Sequence, residues 1–91
     1  MKDNQLKENY GPYFDRLSAP EQRAVEKYIR AMAKHYPQLA EAATAGPGNE
    51  GEVYVYIPPI PDEDEYMTIH KKMAKIGQAL FLDTGVSILL M

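Results

Sequence analysis

The 91-residue chain has no cysteine and no tryptophan. Without thiols there is no disulfide framework and no thiolate zinc site, which points to a reducing compartment, the cytoplasm. Basic residues are not in excess either. Ten Lys and Arg stand against thirteen Asp and Glu, for a net charge of −3. That removes the electrostatic footprint of non-specific nucleic-acid binding. No stretch approaches the ~18 consecutive apolar residues of a membrane span. Met1–Gln5 leads into polar residues rather than the apolar core of a signal peptide. No Walker loop, HExxH or nucleophile elbow occurs. The run Gly46-Pro47-Gly48-Asn49-Glu50-Gly51 lacks the Lys-Ser/Thr ending of a phosphate loop and precedes no helix. The sequence therefore assigns no catalytic, cofactor-binding or metal-binding residue. It leans away from an enzyme and towards a soluble protein with no membrane segment.

Apolar residues make up 45% of the chain and charged residues 25%, ordinary values for a folded domain. Residues 1–17 read as a polar N-terminal arm and a short turn, with Met1–Glu8 frayed. Tyr13, Phe14 and Leu17 are expected to pack against the helix that follows. Residues 18–91 read as a single domain. Ser18-Ala19-Pro20-Glu21 is a capping box that starts a helix over 18–36. Its apolar stripe is Ala24, Val25, Tyr28, Ile29, Met32, Ala33 and Tyr36, at helical spacing. Pro37 ends it. Gln38–Ala45 is alanine-rich and suits one or two further turns, and 46–51 is a glycine-rich loop.

A strand over 52–57 alternates Val53, Val55 and Ile57 with Tyr54 and Tyr56. Three prolines end it, and a second helix spans 62–83. Asp62 and Glu65 cap its start, and Asp62–Glu65 complement the helix dipole rather than converging on a cation, because adjacent helical positions diverge. Its stripe is Tyr66, Ile69, Met73, Ile76 and Leu80. Gly77 interrupts it and points to a close crossing of another helix or of the sheet. His35 reads as a dipole partner and His70 as solvated. Gly85 closes the helix, and a strand over 86–91 follows. Its faces, Val86, Ile88, Leu90 and Ser87, Leu89, Met91, are both largely apolar, which predicts cover on both sides.

Val53-Tyr54-Val55-Tyr56-Ile57 resembles the aromatic strand of the RNA-recognition motif, where rings stack on bases. That likeness covers five residues, and no second aromatic strand follows. The strand–proline–helix–strand layout of 52–91 looks like the later half of a minimal nucleotidyltransferase domain. Glu52-Val53-Tyr54 stands where that family has its Asp-x-Asp pair, and no Gly-Ser turn precedes it, so the likeness implies at most a non-catalytic remnant.

The expected fold is α+β, two main helices on a two-stranded β-α-β sheet. The expected core is Val25, Tyr28, Ile29, Met32, Val53, Val55, Ile57, Ile69, Met73, Ile76, Leu80, Val86, Ile88 and Leu90. Two strands are marginal alone, and the last carries no Pro, Lys or charge to protect an edge. The expectation is a small assembly or adaptor protein that pairs with a protein partner, most simply as a homodimer with a continuous sheet. Its interface would be Tyr54, Tyr56, Val86, Ser87, Ile88, Leu89, Leu90 and Met91. The alternative is a weak single-stranded nucleic-acid binder using Tyr54, Tyr56 and the basic helix faces, among them Lys71, Lys72 and Lys75.

Overall fold

The computed structural model describes residues 10–91. The arm expected over Met1–Glu8 lies outside the described residues. A 3-10 turn at Pro12–Arg16 leads to α1, Ala19–His35, and α2, Pro37–Ala42. Two strands follow, β1, Thr44–Pro47, and β2, Val53–Tyr56. Then come α3, Glu63–Thr84, and β3, Ile88–Leu90. The class is α+β, with a three-stranded mixed sheet of order β1-β2-β3.

The capping box is fully formed: Ser18 N–H donates to Glu21 Oε1 at 2.9 Å and Glu21 N–H to Ser18 Oγ at 3.3 Å. The α1 stripe is buried at Ala24, Val25, Tyr28, Ile29 and Met32. Asp62 Oδ1 accepts from Glu65 N–H at 3.0 Å and starts α3. Gly85, at φ 79°, ends it, with its N–H donating to Phe81 O. A left-handed residue here satisfies an otherwise orphaned carbonyl. α3 buries a narrower face than α1, only Ile69, Met73 and Gly77.

The sheet has three strands rather than the two expected. Thr44–Pro47, read as the end of an alanine-rich helix and the start of a loop, pairs antiparallel with β2 from Thr44↔Tyr56 to Pro47↔Val53. The hairpin closes through Glu52 N–H donating to Asn49 O at 3.0 Å. Its two central residues, Glu50 and Gly51, have φ of 54° and 86°, the positive values that tight hairpin turns need. Helical turns form only at Pro37–Ala42. β2 is therefore the centre of the sheet, and neither of its flanks is open.

β3 runs parallel to β2, with Val53↔Ile88, Tyr54↔Leu89 and Val55↔Leu90 in register, and α3 is the crossover. The hydrogen-bonded stretch extends beyond Ile88–Leu90. Val53 N–H donates to Ser87 O at 2.9 Å, and Met91 N–H donates to Val55 O at 2.8 Å. Val86 precedes the pairing and donates instead to Thr84 Oγ1.

All helices of the described residues cover the same sheet face. Val53, Val55, Ala45 and Ile88 from the sheet join the α1 stripe, Ile69 and Met73 in one cluster. Ile57, Ile76, Leu80, Val86 and Leu90, expected in the core, are half-buried at its rim. Tyr10, Leu17, Ala40 and Ala43 are buried instead, and Tyr13 and Phe14 pack against the cluster.

Candidate interaction surface

The pleat sends Tyr54, Tyr56, Leu89 and Met91 to the face opposite the helices. Two-sided cover, expected for the last strand, is absent there among the described residues. Tyr56 is 42%, Leu89 41% and Met91 50% exposed. The reason is topological: every helix of the described residues lies on the Val53–Val55 side.

The two rings lie against Gly46 of β1 and Gly48 just beyond its end. A Cβ at Gly48 would lie 2.8 Å from the Tyr54 ring, and a Cβ at Gly46 would meet the Tyr56 ring. Each tyrosine ring thus occupies the space over a glycine that a side chain would fill. The rings meet edge to face at 6.2 Å and 75°, a favourable aromatic geometry. Tyr54 Oη also accepts from Asn49 Nδ2 at 3.3 Å. The three strands, Thr-Ala-Gly-Pro, Val-Tyr-Val-Tyr and Ile-Leu-Leu, contain no charged residue.

The two edges of the sheet differ. At β1, Ala45 N–H donates to Tyr10 O at 2.8 Å, so the N-terminal segment lies along that edge. At β3, Ser87 and Met91 direct backbone groups to β2. By alternation Ile88 and Leu90 direct theirs away from the sheet. Among the described residues no strand pairs on that side.

α3 overhangs this edge. Gly77 lies against β3 so closely that a Cβ there would stand 3.0 Å from Ile88 O and 3.5 Å from Tyr28 Cε1. Between α3 and β3 runs a groove of about 450 Å³ bordered by His70, Gln78, Phe81 and the strand from Ser87 to Leu90. Phe81, 49% exposed, continues the apolar surface from Leu89 across the groove. The sequence flagged Gly77 as a close crossing but gave no sign that Tyr28, His70 and Phe81 would meet beside it. They come from two helices brought together only by packing.

The interface residues named from sequence are therefore divided. Tyr54, Tyr56, Leu89 and Met91 share the open face, Ile88 is buried, and Val86, Ser87 and Leu90 are half-buried. Lys71, Lys72 and Lys75 are not brought to the tyrosines. They are exposed on α3, in the helix layer, around a shallow cleft that also includes His35. The charges next to Tyr54 in the chain are instead the carboxylates of Glu50 and Glu52.

His70 is not simply solvated. Its ring stacks on Tyr66 at 4.1 Å, and burial holds its pKa below the usual imidazole value of 6.5. Burial also raises the Tyr28 phenol above its ordinary value. Asp62–Glu65 are exposed, and among the described residues no group of three or more His, Cys, Asp or Glu is arranged to hold a metal ion. Nor is any described helix long and apolar enough to cross a membrane. No protein-family model matches the chain, and neither a curated protein nor a solved structure matches it.

Proposed function

We propose that this chain is a small assembly or adaptor protein that acts by binding protein through the outer sheet face and the β3 edge. One observation supports the reading: among the described residues an uncharged sheet is covered by helices on one side only, and Tyr56, Leu89 and Met91 stand half-exposed on the other. Contiguous apolar surface of this kind marks interaction sites. Aromatic and methionine side chains are the types enriched there. The absence of cysteine suits a cytoplasmic setting.

A second copy is the simplest partner. Two-fold docking apposes the same patch on both subunits. With no charge on the three strands, it brings no like charges together on the sheet. The alternative, a single-stranded nucleic-acid binder, has less support, because Tyr54 and Tyr56 lack lysines beside them and phosphates would meet Glu50 and Glu52.

Light scattering after size exclusion at about 100 μM tests the reading. The expected result is a dimer that Leu89→Lys converts to a monomer with its thermal midpoint unchanged. A wild-type monomer, or a dimer indifferent to Leu89→Lys, refutes self-association through this surface.

A further inference from the structure

The helix layer carries a second surface, on α3. Met67, Lys71, Lys75, Gln78 and Leu82 follow one another at three- and four-residue steps, so they form one stripe along the helix. All five are exposed. The buried residues of α3, Ile69, Met73 and Gly77, lie on the opposite side of the helix.

The ends of the stripe are apolar and bare. Met67 is 51% exposed, and Leu82, at 79%, is the most exposed large hydrophobic residue described. The middle is cationic and uncompensated. Lys75 stands four residues after Lys71 and three after Lys72, spacings at which like charges on a helix repel. No carboxylate stands three or four residues from any of these lysines. Among the described residues none of them forms an ion pair. Asp83, next to Leu82, is turned instead to Lys27 of α1 at 3.9 Å.

We infer that this stripe binds an acidic amphipathic segment of a partner protein, its carboxylates against Lys71 and Lys75 and its apolar residues against Met67 and Leu82. Charge decides the occupant. A second copy in two-fold, antiparallel contact would match Met67 with Leu82 and Lys71 with Gln78. It would also bring Lys75 of each copy together at the axis, with no carboxylate between them to offset the repulsion. A single-stranded nucleic acid would find no ring to stack on beside the lysines, since Tyr54 and Tyr56 lie on the far side of the sheet. Its phosphates would also meet Asp62–Glu65 one turn before Met67. A segment whose negative charge is confined to its middle avoids both conflicts. Docking an amphipathic helix by apolar anchors at helical spacing is a known mode of peptide recognition. The site is separate from the outer sheet face, so either reading can fail alone.

The test selects a displayed library of random peptides on the full chain and synthesises the strongest binder. Selected peptides are expected to carry two or more Asp or Glu flanked by apolar residues, and their affinity to fall as salt rises. Lys71→Gln with Lys75→Gln is expected to hold or raise the thermal midpoint, because it removes a repulsion, while weakening the peptide about tenfold, the effect of two exposed ion pairs. Leu82→Ser should weaken it as well, and Leu89→Lys should leave it unchanged. Charge reversal guards against a misfolded variant: Lys71→Glu with Lys75→Glu is expected to lose the acidic peptide and to bind its counterpart with Lys in place of each acidic residue.

A library without binders, selected peptides that are neutral or basic, or binders indifferent to the lysine variants overturn the inference. So does a single-stranded oligonucleotide that binds more tightly than the peptide and is lost with the same lysines, or a dimer that Leu82→Ser dissociates. None of these outcomes touches the Leu89→Lys result, on which the sheet-face reading depends.

Discussion

At the scale of single residues, Gly77 is the position where two local rules conflict. Alanine is the better helix former by about 1 kcal/mol, and the site lies mid-helix in α3. Yet its Cβ would press on Ile88 O at 3.0 Å. β3 is held to β2 by backbone bonds on its other side, so it has little room to retreat. Overpacking of this kind costs about 1–3 kcal/mol and should outweigh the propensity gain. Gly77→Ala is therefore expected to lower the thermal midpoint, and a rise would show that α3 does not cross β3 this closely. Met73 presents the opposite case, a fully buried side chain with no such conflict. Met73→Ala should cost about 2–5 kcal/mol in urea denaturation, a large share of the roughly 5–15 kcal/mol typical of a folded domain. A loss under 1 kcal/mol would contradict its place at the centre of the core.

At the scale of elements, the β1–β2 hairpin holds strain that can be removed. Glu50 sits at φ 54°, a left-handed conformation that favours glycine or asparagine over glutamate. Glu50→Asn creates Asn-Gly at the two central positions, the pair these turns prefer. The variant is expected to be more stable by about 0.5–1 kcal/mol, read as a shift of the denaturation midpoint. Unchanged stability would mean that the turn is not of this type. The same residue explains what the sequence concealed. Both long helices are legible because their caps and stripes are local signals: Ser18 with Glu21, Asp62 with Glu65, and apolar residues three and four apart. β2 and β3 show their period of two. β1 does not, because four residues containing Gly46 and Pro47 after a run of alanines have strand character only through pairing with β2. A Glu-Gly turn also hides the hairpin that makes the pairing possible. The interaction surface divides in the same way. Tyr54, Tyr56, Leu89 and Met91 can be read from alternation, whereas the groove is built from α1, α3 and β3 and has no signature along the chain.

At the scale of the whole molecule, layering on one face gives the two histidines different surroundings. His35 is exposed near the end of α1, while His70 is half-buried on the groove wall against Tyr66. Desolvation is the cause of the lowered His70 pKa, so the folded state resists the proton that the unfolded chain accepts at 6.5. Above that value both states are neutral and the group makes no difference. As the pH falls through 6.5 the unfolded chain binds protons first, and stability falls until the folded-state value is also passed. Between about pH 7.5 and about pH 5.5 the thermal midpoint is thus expected to decline, and His70→Gln to flatten the decline. A midpoint that rises on acidification, or a slope that survives His70→Gln, would show that this imidazole is as well hydrated in the folded chain as in the unfolded one.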